Sequence, residues 1–353
     1  MIRSPLAALL AASLSSLATL SAAPAPAQQS ADLPPERQFD FWVGEWSVQN
    51  RHLQPDGTWQ NGTETRARIV PVCDGKAVLE EWAGPFSGTF MNGFSLRSYD
   101  PATRQWVILL FWTTDGNAGF GRMRGAFRHG RGEFLSSPLG AGASSITRYT
   151  FSDGLADSVR WDQARTQDGG QTWRTDWIME FRRTRPAAEV TQDVLFGEDW
   201  NAGTLSPHAS ARRLDWLVGR WEGTQTDATT GETREARLSS RLLDKDCLVL
   251  DVLETRRADE EDWHHRVAIR GFVAQRGAWE SWTLSEDDPV LRQSLGQPDA
   301  EGAQFEGTRP DGTRWRETWV RLGDTEAVVE MEEAAPGAEL ELARATELWR
   351  TDG

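Results

Sequence analysis

The residues best suited to chemistry in this chain are two adjacent carboxylates followed by an indole, Glu80-Glu81-Trp82. Successive side chains of a strand point to opposite faces, so within a barrel one glutamate faces inward if the other faces outward. A carboxylate set among Trp and Phe rings has its pKa raised and can serve as an acid, a base or a ligand anchor. Glu81 is the candidate interior carboxylate. Trp82, Phe94, Trp112, Phe120 and Trp161 are the candidate lining of an apolar pocket around it. Asp251 and Glu254 fall in the comparable region of the second half. A rim glutamate paired with one of the many arginines is the competing reading, and the sequence leaves both open.

Other catalytic patterns are weak. His52, His129, His208, His264 and His265 form no His-x-x-x-His or His-Glu-x-x-His spacing, and the neighbours His264 and His265 face opposite sides of a strand. No metal site and no cofactor are expected. Neither closing strand carries a histidine that could hold haem. No Gly-x-Ser-x-Gly elbow and no Gly-rich phosphate loop occur. Thr166-Gln167-Asp168-Gly169-Gly170-Gln171-Thr172-Trp173 has the residues of a hairpin turn stabilised by side-chain to backbone hydrogen bonds. Cys73 and Cys247, one in each half, are either two buried thiols or a bridge between the halves.

The elements that must position these residues are announced by a repeat. Phe39-Asp40-Phe41-Trp42-Val43-Gly44-Glu45-Trp46 recurs as Leu214-Asp215-Trp216-Leu217-Val218-Gly219-Arg220-Trp221, 175 positions later. Each octet reads as one helical turn with an apolar face, broken by glycine, then a tryptophan opening a strand. Short runs rich in Val, Ile, Thr and aromatics follow, separated by turn dipeptides such as Asn61-Gly62 and Asp74-Gly75. The spacing predicts strands over 46–53, 64–72, 77–83, 89–98, 105–112, 119–127, 132–136, 146–151, 157–165 and 173–183. Many hairpin-linked strands suit an up-and-down barrel, which leaves no exposed edge. Trp106 then corresponds to Trp279, Phe134 to Phe305, and Trp177–Arg183 to Ala345–Arg350.

The first half resembles a family of bacterial, often exported, calycin-like (lipocalin-like) barrels. The resemblance rests on the octet at 39–46, Asp74-Gly75 leading to Glu80-Glu81-Trp82, Tyr99-Asp100-Pro101 leading to Trp106, and Asp168-Gly169-Gly170-Gln171-Thr172-Trp173. It covers nearly all of 38–184, and the second half resembles a more divergent member. It implies an all-β fold of two tandem lipocalin-like up-and-down barrels, and no activity. It also implies that the Gly-x-Trp ring is covered by an arginine of the last strand. That pairs Trp46 with Arg182 or Arg183, and Trp221 with Arg350, as structural closures of each barrel.

The domain reading is a signal peptide over 1–27, a polar lead over 28–37, a first barrel over 38–184, a linker over 185–210 with a short helix near 190–196, and a second barrel over 211–351. Arg3, the apolar stretch 6–20 and Ala25-Pro26-Ala27 have the pattern of a cleaved export signal, so a periplasmic or secreted protein without a membrane span is expected. A net charge of −15 argues against nucleic acid, which needs basic surface. Strand 106–112 is apolar on both faces, which predicts one face inside the first barrel and the other packed on the second barrel or on another chain. Three functions remain: binding of a small apolar ligand, most simply in the first barrel; an isomerase- or hydrolase-type enzyme using an interior carboxylate such as Glu81; or a filled barrel pair acting as a structural or interaction module, since eighteen Trp can pack small barrels shut.

Overall fold

The computed structural model describes residues 33–86, 89–112, 119–136, 144–197, 209–244, 248–299 and 301–352. The expected signal peptide, Cys247 and His208 lie outside the described residues.

The first half forms strands β1 (Gly44–Leu53), β2 (Trp59–Asn61), β3 (Thr65–Val72), β4 (Ala77–Phe86), β5 (Thr89–Asp100), β6 (Gln105–Trp112), β7 (Gly121–Arg128), β8 (Arg131–Ser136), β9 (Ile146–Ser152), β10 (Ser158–Thr166) and β11 (Arg174–Arg185). From β3 to β11 each strand pairs antiparallel with the next, and β1 pairs with both β3 and β11. The sheet is therefore closed, with β2 attached only to the far end of β1. The ten expected strands are all present, and the short β2 is the addition.

The second half forms β12 (Gly219–Asp227), β13 (Thr233–Asp244), β14 (Leu248–Arg256), β15 (His264–Val273), β16 (Ala278–Ser285), β17 (Arg292–Gly296), β18 (Gly302–Thr308), β19 (Arg314–Arg321), β20 (Glu326–Ala334) and β21 (Glu341–Arg350). These close in chain order through β12 and β21. The protein is thus all-β, two tandem up-and-down barrels.

Each octet becomes a cap on its barrel. Asp40–Trp42 and Asp215–Leu217 are single 3-10 turns. The Trp46 and Trp221 indoles donate back to the carbonyls of Trp42 and Leu217, both at 2.9 Å. The Arg183 guanidinium lies 4.0 Å from the Trp46 ring centroid, and Arg350 lies 4.5 Å from that of Trp221. Arg183 also donates to the carbonyls of Val43 and Phe41, and Arg350 to those of Val218 and Trp216. Arg182 is the exposed neighbour, so Arg183 is the closing residue. The repeated glycine follows from this contact. Gly44 (φ +141°) and Gly219 (φ +138°) hold a backbone geometry that L residues rarely adopt, and a Cβ at either would collide with the arginine head.

Alternation along the strands sorts the remaining apolar residues. Inside the first barrel lie Trp42, Trp46, Trp82, Trp106, Phe134 and Phe151. The opposite face of β6, Val107, Leu109 and Phe111, joins Leu250, Ile269 and Trp282 in one core shared by the two barrels. Phe120 bridges that seam, 5.4 Å from the Phe111 ring and 6.4 Å from Trp282. The connection adds to it: β11 runs to Arg185, a 3-10 turn follows at Gln192–Phe196, and Val190 and Leu195 are buried in the shared core. Cys73 is a free, buried thiol at the same seam, 3.6 Å from the His265 carbonyl oxygen.

Candidate functional site

Strand register makes the two interiors comparable position by position. In the first barrel Trp46, Ala67, Trp82, Gly93 and Trp112 are successive cross-strand partners. In the second, Trp221, Leu238, Leu253, Arg266 and Ser285 follow the same path. From the other side, Asn50 pairs with Met179 and Met179 with Trp161, while Gln225 pairs with Thr346 and Thr346 with Val329. His52 opposite Trp177 becomes Asp227 opposite Arg344. The alignment of Trp177 with Ala345 expected from sequence is therefore off by one residue, and Arg344 is the true counterpart.

Four tryptophans fill the upper part of the first barrel. Trp82 lies 5.5 Å from Trp112, Trp112 lies 5.7 Å from Trp177, and Trp177 lies 5.2 Å from Trp161, between ring centroids. Gly93 admits the Trp112 ring, which a Cβ there would meet at 2.5 Å. What remains is a cavity of about 20 Å3 bordered by Glu80, Arg97, Tyr149, Trp82, Trp112 and Trp161, enough for roughly one water.

The second barrel has Leu253, Ser285, Val329 and Arg344 at the same four positions, and an open cavity of about 280 Å3 stands there. Leu253, Trp315, Val329 and Met331 give it an apolar wall; Arg266, Arg292, Arg309 and Arg344 give it charge. A second lobe of about 240 Å3 adjoins it and shares Gln225, Arg266 and Arg344. His264 and His265 both border this lobe, and the His265 backbone carbonyl meets Cys73 at the seam.

Arg266 of the lining belongs to a buried charge network. Arg270 contacts both Asp251 and Glu317, and Arg266 reaches Glu317 as well. Burial would raise the Glu317 carboxyl, but the two guanidiniums, helped by the Trp319 indole, outweigh it and hold the group at about 2. The first barrel carries the shorter form of this network: Glu80 accepts from Ser95 at 2.7 Å and from Arg97 at 3.0 Å, and Arg97 stacks 4.0 Å from the Trp42 ring centroid.

These placements correct part of the sequence reading. Trp82, Trp112 and Trp161 do meet inside the first barrel, but they fill it. Glu81 faces outward, buried between Arg68 at 2.6 Å and Arg241 of the second barrel. The interior glutamate is Glu80. Phe94 and Phe120 also belong to the shared core between the barrels rather than to an interior. The reason is the strict alternation of strands: with Trp82 inward, Glu81 is outward, and its register partner Phe94 goes with it. The sequence reading missed Arg266, Trp315 and Arg344, and a correct one-residue alignment of the closing strands would have exposed the last of these.

Asp168 is a turn-former. Its carboxylate accepts from the Thr166 and Thr172 hydroxyls and from the backbone N–H groups of Gln171 and Thr172, contacts that hold its pKa far below the usual carboxylate range. Among the described residues no group of three His, Cys, Asp or Glu is placed to hold a metal ion, and no helix is long and apolar enough to cross a membrane.

No family model matches this chain, and no curated protein matches it. Among solved structures it is similar to a protein of unknown function from the DUF3598 family of Nostoc punctiforme, at 14% identity and a TM-score of 0.27 over 90% of this chain and 100% of that one. It is also similar to a protein described as an AttH from Nitrosomonas europaea, at 11% identity and a TM-score of 0.13 over 86% of this chain and 91% of that one. Likenesses this distant carry no argument about the site.

Proposed function

We propose that this is an exported, calycin-like binding protein whose second barrel takes a small ligand and whose first barrel is a filled scaffold. Export rests on the pattern of residues 1–27, and the calycin-like assignment on the motifs quoted above. The observation that carries the binding reading is the replacement of Trp82, Trp112, Trp161 and Trp177 by Leu253, Ser285, Val329 and Arg344, with about 280 Å3 of open space where the rings would stand. A concave space with one apolar wall and a few polar groups is the usual form of a small-molecule site. The ligand is amphipathic rather than purely apolar, because arginines share the mouth with Trp315 and Met331.

The interior carboxylates Glu80, Asp251 and Glu317 are all ion-paired, which weighs against the acid–base enzyme reading at these three groups. The filled-module reading is favoured by the first barrel alone.

Titration with N-phenyl-1-naphthylamine, an uncharged dye that brightens in apolar surroundings, tests the proposal. Saturable one-to-one binding is expected, lost in Val329→Trp and in Ser285→Trp, which restore rings of the first barrel. Absence of binding, or binding unchanged in both variants, would overturn it.

A further inference from the structure

Resting on that reading, the charge pattern of the mouth narrows the ligand class. Most acids there are already neutralised: Asp288 by Arg292 at 2.9 Å, Glu333 by Arg309 at 2.9 Å, and Glu317 by Arg266 and Arg270. Glu286 contacts His265 at 2.5 Å, and Glu232 contacts Arg257. Asp227 spends its carboxylate on the backbone N–H groups of Thr229 and Thr230 at 3.0 and 2.8 Å. Arg344 is different. It borders both lobes, and among the described residues it has no carboxylate within ion-pair distance; Asp227, opposite it on β12, acts on it only at longer range. Arg234, at the outer lobe, likewise has no ion pair among the described residues. Asp227 and Asp287 are the two acids of the lining in the same condition. Among the groups without an ion pair, Arg344 is the cation that borders both lobes, and it sits beside the apolar wall.

We infer that the second barrel binds an amphipathic monoanion, its carboxylate or equivalent acidic group on Arg344 and its apolar body against Trp315, Val329 and Met331. A guanidinium presents paired N–H donors that match a carboxylate in two-point contact, which fixes the head while the body fills the lobe. The position is specific to this barrel, since its counterpart Trp177 donates its indole N–H to Asn50 at 3.0 Å and closes the space. An anion also explains why the wall is mixed: the head needs the wet rim where Arg344 is exposed, and the body needs the drier side.

Calorimetric titration at pH 7.5 with three molecules of one body and different heads, 4-phenylbutyrate, 4-phenylbutanamide and 4-phenylbutylamine, tests this on the wild-type chain, Arg344→Gln and Val329→Trp. The acid is expected to bind roughly fivefold more tightly than the amide, a modest factor because Arg344 is partly screened by solvent. The amine should bind most weakly, and Arg344→Gln should make acid and amide equal. An amide that binds as well as the acid, or a preference that survives Arg344→Gln, overturns the anion assignment and leaves the binding site standing. If none of the three binds, or if Val329→Trp binds them as the wild type does, the binding site itself falls and the anion with it. Arg344 is exposed at the rim, so Arg344→Gln is expected to fold normally, and its thermal midpoint confirms that.

Discussion

Glu81 of the first barrel and Arg241 of the second are joined in an ion pair at the seam between them. Arg68, on the strand next to Glu81, holds the same carboxylate at 2.6 Å from within the first barrel. The Glu81 and Arg68 side chains are 2% and 1% exposed, so neither can be solvated if the other is lost. Glu81→Gln is expected to cost about 3–5 kcal/mol, because it strands buried positive charge. Urea denaturation measures this, and a loss below about 1 kcal/mol would mean that the seam is wetter than its geometry indicates.

The filled interior of the first barrel makes the opposite kind of prediction. Trp161 is buried against Trp177 and Tyr149, with ring centroids 5.2 and 4.7 Å away. Trp161→Ala should cost about 3–5 kcal/mol through lost contacts and the cavity left behind. The same variant should leave dye binding in the second barrel unchanged. A variant of wild-type stability would show that the rings do not pack the barrel shut.

Much of this architecture is legible in the sequence because it depends on local signals. Turn dipeptides and apolar runs mark strands, and the repeated octet marks two copies of one fold. The closing arginines were also legible as a choice between Arg182 and Arg183, since the closing residue must sit on the inward side of β11. The inward side itself was not legible at Glu80-Glu81, because a one-residue difference in register exchanges every side chain between faces and both glutamates find arginines. Gly93 illustrates a further limit. Nothing in its own identity says that it makes room for Trp112, and Arg266 at the matching position gives the other barrel a charged mouth. Whether a barrel is hollow depends on several such positions at once.

Acid should act on the buried charge network of the second barrel. The Glu317 carboxyl is held at about 2 in the folded chain against an ordinary value of 4.5, so the folded state favours its ionised form. A depressed carboxylate contributes stability that is complete above pH 4.5 and is lost as pH falls toward 2. The contribution is about 3 kcal/mol at most, with the pair's own desolvation already counted in the shift. Glu317→Gln should therefore weaken the protein at pH 7 and lower its dependence on acid between pH 5 and 3, about the range of the shift. Thermal midpoints across that range decide it, and parallel curves for variant and wild type would contradict the assignment.

Alkali should act on the seam. His265 donates toward Glu254 at 3.0 Å and Glu286 at 2.5 Å, while the Glu286 carbonyl accepts from Lys76 of the first barrel at 3.0 Å. The hydrogen bond to Glu254 raises the imidazole pKa above 6.5; burial opposes this, and Glu286 adds to the rise. A raised histidine contributes stability that is fully present below 6.5 and is lost as pH rises through the higher folded-state value. His264, half-buried on the mouth side, also faces Glu260 and Glu286, so the comparison must be made at His265 alone. His265→Gln is expected to be less stable than wild type at pH 6, with the gap narrowing as pH rises through the raised folded-state value and the wild-type imidazole loses its proton. A gap that stays constant from pH 6 to 9 would show that His265 holds Glu254 and Glu286 without a charge, as a neutral ring.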